Sequence, residues 1–328
     1  MKFSQKLHKM LVKMSVLTVL TLLLSTSSFA QVSLRRALDY DGDGKADAAV
    51  FRPTNNTWYI LRSGGGFQAA QFGVSTTDIF TPGDYDGDGR GDICVWRDTD
   101  GTFYFLRSSN GTFGAVQFGA TGDEPVARNW EGAATSETEF AVVRRTGGSM
   151  FWYIRRPNGQ LRGEQFGTSN DFQAPGDYDG DGVFDVAVQR ITLNTNNPAF
   201  FYYNGSSSGF VGVQWGLSND FAVPGDYDGD GKTDIAVVRD ANGSLNWYIR
   251  SSGGTTPGAL LAYAWGIGGV NSPDFSVQND YDGDGKTDVA VWRDTNGTFY
   301  IRKTSDGGIQ GINWGTSGDF PIASYDTH

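Results

Sequence analysis

The chain repeats itself. Asp-Tyr-Asp-Gly-Asp-Gly opens at Asp39, Asp84, Asp177, Asp226 and Asp280, and a degenerate copy, NWEGAATSETEFAVVRR, begins at Asn129. Successive starts lie 45, 45, 48, 49 and 54 residues apart, so six units of similar size fill residues 31–328 as one domain without a linker. Such a period means that one supersecondary unit is stacked on copies of itself.

Four short apolar patches recur in each unit. The first precedes the aspartates, as in Asp220–Asp226 (DFAVPGD); the second follows them and ends at Arg52, Arg97, Arg144, Arg190, Arg239 and Arg293. The third is aromatic, as in Thr57–Arg62 (TWYILR) and Thr102–Arg107 (TFYFLR). The fourth ends in an aromatic-glycine pair, at Phe72-Gly73, Phe118-Gly119, Phe166-Gly167, Trp215-Gly216, Trp265-Gly266 and Trp314-Gly315. All are rich in β-branched and aromatic residues, and none has a helical period. Asp100-Gly101, Asn242-Gly243 and Asn296-Gly297 favour tight hairpins between patches two and three.

Four short antiparallel strands per unit, six times over, predict an all-β chain folded as a six-bladed β-propeller. One such sheet cannot bury both faces alone, whereas radial stacking covers each face with a neighbour. A β-sandwich would account for the strand density but not for the repeat. Asp319–Ser324 (DFPIAS) copies the first patch with no acidic loop behind it, and Ser33–Leu38 copies it poorly. The C-terminal segment is therefore expected to help close blade one. The alternative is a seventh blade assembled from both termini.

Each intact loop, numbered from its first aspartate, has carboxylates at positions 1, 3, 5 and 9 and glycine at 6. These are Asp39, Asp41, Asp43 and Asp47; Asp84, Asp86, Asp88 and Asp92; Asp177, Asp179, Asp181 and Asp185; Asp226, Asp228, Asp230 and Asp234; and Asp280, Asp282, Asp284 and Asp288. Two carboxylates about 5 Å apart, at an effective dielectric near 20, repel by roughly 3 kcal/mol, so each cluster calls for a counter-charge. The spacing matches the front of a calcium loop: side chains at 1, 3 and 5, a backbone carbonyl at 7 and a further ligand at 9. Position 7 would contribute only its carbonyl, consistent with its variation among Lys45, Arg90, Val183, Lys232 and Lys286. So many hard oxygen donors suit Ca²⁺ better than Mg²⁺, which retains water. An EF-hand would place glutamate at position 12, but Val50, Val95, Val188, Val237 and Val291 stand there, so the loop joins strands. In the third repeat Asn129, Glu131 and Ala133 replace the first three aspartates, and two extra residues precede Glu139. About five calcium ions are expected, with none in that loop.

These DxDGDGxxD loops and aromatic-glycine pairs resemble the FG-GAP/VCBS repeat family, which includes the propellers at the N-terminus of integrin α-subunits. The resemblance covers essentially all of residues 33–328. It implies a propeller whose loops between strands one and two bind calcium and which serves as a platform for protein or glycan partners. A specific partner does not carry over, because propellers of this kind serve adhesion, lectin and sometimes enzymatic roles.

Residues 1–30 read as a secretory signal peptide: Lys2, Lys6, Lys9 and Lys13, the apolar run Met14–Leu24, then Ser28-Phe29-Ala30 before the cut. Secretion or a periplasmic location is expected, without membrane insertion after cleavage. Removing those lysines moves the formal charge from −11 to −15, which argues against nucleic acid or anionic membranes as partners. Cys94 is the only cysteine, so no intrachain disulfide forms, and His328 is the only histidine after His8 leaves with the signal. Histidine general-base chemistry and histidine-ligated zinc are thereby disfavoured.

The expected function is a monomeric, non-catalytic binding or adhesion module for an extracellular protein or glycan. Its alternatives are a sugar-specific lectin, with a Trp or Tyr exposed at the same place in several blades, and a carbohydrate-active lyase or hydrolase using Glu131, Glu137 and Glu139. All five glutamates, Glu124 and Glu164 included, fall between positions 124 and 164, which makes the third repeat the chemically odd one. Arg90-Gly91-Asp92 spells an adhesion tripeptide but occupies loop positions 7 to 9. Asn-Gly-Thr at Asn110 and Asn296 fits a glycosylation sequon and equally a hairpin turn. The strand-two arginines, and Asp78, Asp123, Asp171, Asp220, Asp274 and Asp319 before strand one, are expected to be structural partners. The aromatic third strands are expected to fill the core between blades.

Overall fold

The computed structural model describes residues 37–323, apart from 133–136, 193, 195, 254–255 and 270–272. The signal-peptide reading and most of Ser33–Leu38 lie outside the described residues.

The second patches form strands because each is a run of β-branched and aromatic residues that can be buried on both faces. Ala48–Arg52, Ile93–Arg97 and Val289–Arg293 each bury four consecutive side chains and leave only the arginine partly exposed. Third strands alternate: in Thr57–Leu61, Trp58 and Ile60 point into the core while Tyr59 stays half-buried. Fourth strands are the most exposed, as in Phe67–Gln71. Six antiparallel sheets of four strands result, five of them taking their strands in sequence order from the first patch outward. In blade two the order is Asp78–Phe80, Ile93–Arg97, Thr102–Leu106, Phe113–Gln117. The Asp100-Gly101 turn is the expected hairpin, with Gly101 at φ 62° and Arg97 paired to Thr102.

Blade one is closed by the C-terminus. Phe320–Pro321 pairs with the strand of Ala48–Arg52, Phe320 opposite Phe51 and Pro321 opposite Val50. The ring therefore has six blades rather than seven.

Adjacent blades meet through contacts that recur around the ring. Trp58, Trp96, Trp152, Trp247 and Trp292 are fully buried. Each donates its indole N–H to the carbonyl of the aromatic residue in its own blade's aromatic-glycine pair, at 2.8–3.3 Å. The glycine of that pair faces the next blade. A Cβ on Gly73, Gly119, Gly167, Gly216, Gly266 or Gly315 would lie 3.0–3.2 Å from Val95, Val142, Val188, Val237, Val291 or Val50 respectively. The valine at loop position 12 is thus an inter-blade contact, and the small residue opposite it is what lets the sheets approach.

Candidate metal centre

In blades two to six the loop connects the inner strand to the second strand, in blade one it leads into the second strand, and the outer carboxylates hold the turn together. In all five intact loops the position 1 carboxylate accepts the N–H of glycine 4 on one oxygen and of glycine 6 on the other, at 2.6–3.0 Å. Those two glycines have φ between 73° and 90°, a left-handed conformation that a side chain would strain. The position 9 carboxylate accepts the N–H of the tyrosine at position 2, at 2.8–3.0 Å. Acids 1 and 9 therefore build the loop whether or not an ion is bound.

Three carboxylates converge in every intact loop. Asp39, Asp41 and Asp43, and likewise Asp226, Asp228 and Asp230, bring oxygens of positions 1, 3 and 5 within 4.8 Å of one another. Asp84, Asp86 and Asp92, Asp177, Asp179 and Asp185, and Asp280, Asp282 and Asp288 do so with positions 1, 3 and 9. The remaining acids are Asp47, Asp88, Asp181, Asp234 and Asp284. Oxygens about 2.4 Å from a shared Ca²⁺ are at most about 5 Å apart, so these trios fit a hard cation. At position 7 the backbone N–H of Lys45, Arg90, Val183, Lys232 and Lys286 donates to the position 5 carboxylate at 2.9 Å.

Burial loads these acids. It is the largest cause raising Asp47, Asp177 and Asp234 to about 6, Asp92, Asp226 and Asp288 to about 7, and Asp185 to about 8. A carboxylate taken from water without a compensating cation favours its protonated form.

Three features of the site escaped the sequence reading. The turn after the third strand reaches back over the loop: the N–H groups of Ser63, Ser108, Ser252 and Thr304 donate to Asp47, Asp92, Asp234 and Asp288 at 2.6–2.9 Å. Ser206 Oγ contacts Asp181, and the N–H groups of Ser207 and Ser208 bond Asp179. The signal was a Ser or Thr five residues after the core aromatic of the third strand; the third repeat has Pro157 there, which has no N–H to donate.

Secondly, the loops are joined head to tail. The N–H at position 8 of each donates to the position 1 carbonyl of the preceding loop: Gly91 to Asp39, Thr138 to Asp84, Phe184 to Asn129, Thr233 to Asp177, Thr287 to Asp226 and Ala46 to Asp280, at 2.6–3.2 Å. The circle closes on itself. Thirdly, side chains at position 7 lie over glycine 4 of the preceding loop, Arg90 on Gly42, Lys232 on Gly180, Lys286 on Gly229 and Lys45 on Gly283, each within 3.1 Å of a Cβ built there. Position 7 is thus more than a carbonyl.

The third loop keeps the frame while changing the acids. Asn129 accepts the Gly132 N–H at 2.8 Å, as an aspartate would, and Glu139 accepts the Trp130 N–H at 2.7 Å. Trp130 Nε1 bonds the Val126 carbonyl, the interaction that the tyrosine hydroxyls of Tyr85, Tyr178, Tyr227 and Tyr281 make elsewhere. Glu131 pairs with Arg156 at 3.1 Å. In the adhesion-like tripeptide, Asp92 is fully buried and accepts two backbone N–H groups, while Gly91 is bonded to Asp39. The tripeptide is loop scaffold.

The opposite ends of the strands carry a clamp. Arg52, Arg97, Arg144, Arg190, Arg239 and Arg293 each make two parallel bonds of 2.6–2.9 Å to Asp319, Asp78, Asp123, Asp171, Asp220 and Asp274. The guanidinium groups lie over Tyr59, Tyr104, Tyr153, Tyr202, Tyr248 and Tyr300 at 4.4–5.2 Å. The expectation of structural partners holds in all six blades.

Residues 39–95, the first loop through the second strand of blade two, match the FG-GAP-like repeat. The chain is a six-bladed β-propeller that carries an FG-GAP-like repeat. No curated protein matches the chain in sequence. Among solved structures, the propeller is similar to the Tc holotoxin pore of Photorhabdus luminescens, at 15% identity and a TM-score of 0.45 over 81% of this chain. It spans only 13% of that toxin chain. It is also similar to a quinonprotein alcohol dehydrogenase-like protein from Bacteroides thetaiotaomicron, at 10% identity and a TM-score of 0.42, over 83% of this chain and 76% of that one. Neither likeness bears on activity.

Proposed function

We propose that the protein is exported, loads Ca²⁺ into five of its six loops, and acts as a non-catalytic module that binds an extracellular protein or glycan. The observation that carries the metal reading is the convergence of three carboxylates in every intact loop. Ligands would come from the acids at positions 1, 3, 5 and 9, with the carbonyls of Lys45, Arg90, Val183, Lys232 and Lys286. The third loop, with Asn129 and Glu131 in place of two aspartates, would stay metal-free. Calcium in the five intact loops would supply the charge that neutralises the buried acids and stiffen a frame already drawn by backbone bonds.

The non-catalytic reading is supported by the state of the third repeat's acids. Glu139 is buried as a backbone acceptor, Glu131 is held by an arginine and Glu137 lies exposed, so the three are not arranged as a general acid and base facing a cleft.

Native mass spectrometry and chelator titration test the metal. Five calcium ions and a lower melting temperature in EDTA are expected. If each site has a dissociation constant of order 10⁻⁴ M, 1 mM calcium adds roughly 1.4 kcal/mol per site. Unchanged melting in EDTA would refute the reading. Capture of neither a glycan nor a surface protein would count against the binding role.

A further inference from the structure

The third blade departs from its neighbours at a second place, at the clamp end of its strands. The residue after the clamp aspartate is Ile79, Phe172, Phe221, Phe275 or Phe320 in five blades and Glu124 in the third. The residue after the clamp arginine is Arg145 there, against Pro53, Asp98, Ile191, Asp240 and Asp294 elsewhere.

The fold brings these two changes together. Arg145 Nε donates to Glu124 Oε1 at 2.6 Å and Nη2 to Oε2 at 3.0 Å, and Gln173 Nε2 of the next blade donates to Oε2. Arg145 Nη1 is anchored on the carbonyls of Ser169 and Asp171 at 2.9 and 2.7 Å, so its plane is fixed. This cluster lies at the edge of a cavity of about 450 Å³ that runs along the inner strands of blades three, four and five. Small-molecule sites span about 300–1,000 Å³. Phe172 and Phe221 also line it and remain 52% and 60% exposed, at the same register position of adjacent blades.

We propose that this cavity is a carbohydrate site, taking a neutral sugar ring whose C–H face stacks on Phe172 or Phe221 and whose hydroxyls bond Glu124 and Gln173. This rests on the reading of the propeller as a binding module and names the ligand class. The chemistry narrows the occupant. A carboxylate or phosphate ligand would meet the Glu124 carboxylate, with Arg145 already paired to it and Arg128, the other arginine of the lining, donating to the Ala127 carbonyl; a cation would find that carboxylate already paired. A wholly apolar ligand would desolvate the Glu124–Arg145 pair and the amide with no hydrogen bond in return. A pyranose satisfies both surfaces at once. Its polarised C–H groups suit the negative face of an aromatic ring, and its hydroxyl rim can both donate and accept.

The test is isothermal titration and saturation-transfer NMR of the full, calcium-loaded chain. The probes are neutral di- to tetrasaccharides of glucose, galactose, mannose and N-acetylglucosamine. At least one should bind, with saturation strongest at the ring C–H protons. Phe172→Ala and Phe221→Ala should each weaken it about tenfold, and Glu124→Gln should weaken it less. Phe172→Tyr, which keeps the ring, should bind as wild type does. No binding anywhere in the panel would overturn the proposal, as would binding that survives Phe172→Ala combined with Phe221→Ala, or an apolar dye occupying the cavity where sugars do not. Capture of a surface protein or of a glycan outside the panel by the same samples separates the two readings: capture that survives Phe172→Ala combined with Phe221→Ala, without sugar binding in the cavity, sinks only the cavity proposal.

Discussion

Arg52 and Asp319, 267 positions apart in the chain, form the same two-bonded pair that Arg97 and Asp78 form across 19. Five clamps staple a blade to the connector that has just entered it. The sixth staples the end of the described chain to its beginning, beside the pairing of Phe320 with Phe51. Identical local chemistry serves two purposes, because only one of the six spans the closure.

Removing that clamp should therefore act on the ring as a whole. Asp319→Ala leaves a guanidinium without its carboxylate and should cost about 2–3 kcal/mol, the usual toll of unpairing a charge-assisted bond. The partial exposure of Arg52 keeps it below the buried-pair limit. Asp78→Ala, at the equivalent place inside the ring, is the control. Hydrogen exchange at Val50 and Phe51 should accelerate in the first variant and not the second; equal protection in both would show that the C-terminal strand does not close the propeller.

Metal-free stability should run against the usual pH trend. The folded-state values of Asp47, Asp92, Asp177, Asp185, Asp226, Asp234 and Asp288 are raised to between about 6 and about 8, chiefly by burial. Without metal, the folded chain then binds more protons than the unfolded chain above the ordinary aspartate range. Stability is fullest below the unfolded value near 4 and falls as pH rises through 6 to 8. In EDTA the melting temperature should drop between pH 5 and 8, and millimolar calcium should flatten or reverse that slope. A chelated protein that grows steadily more stable toward pH 8 would contradict the burial argument.

Cys94 offers a reporter that needs no engineering. Its thiol is fully buried, accepts a bond from Thr81 Oγ1 at 3.2 Å, and is pushed up to about 12, first by burial. A thiol-specific reagent at pH 8 should leave it untouched in the native protein and modify it on unfolding. EDTA should raise the labelling rate by increasing the opened population. Rapid labelling of the calcium-loaded protein would mean that blade two is not packed as described.

Inter-blade fit can be tested by exchange of bulk. Gly83 abuts Thr138 across the boundary of blades two and three, where an added Cβ would lie 2.7 Å from Thr138 Oγ1 and 2.8 Å from Cγ2. Gly83→Ala should destabilise by about 1–3 kcal/mol, as overpacking does. Adding Thr138→Gly should recover part of that loss, since the equivalent pair between blades one and two is Leu38 with Gly91. Strict additivity in denaturant titrations would show that the two positions do not share one space.

The acids were legible because five loops carry them at one spacing within a short segment, and the 1-3-5-9 spacing survives translation into a string of letters. The clamp was half legible. Six arginines and six aspartates recur in phase, but nothing in their order says that both nitrogens of each guanidinium engage one carboxylate or that a tyrosine lies beneath. The serine turn over each loop went unread, since its residues are spaced from the third strand's core aromatic rather than from the aspartates they touch. So did the purpose of position 7 and of the valine at position 12, whose partners belong to the adjacent unit.

By itself the chain's periodicity determined the all-β class, the six repeats, the location of the acidic loops and the loss of aspartates from the third of them. Each follows from interactions within about fifty residues, where spacing in sequence is spacing in space. Tertiary structure alone decided the head-to-tail circle of loops, the glycine-valine contacts between sheets, and the meeting of Glu124, Arg145 and Gln173 beside Phe172 and Phe221. Those depend on which surfaces of separate units are pressed together, and a repeat sequence states the units without stating the angle at which they stack.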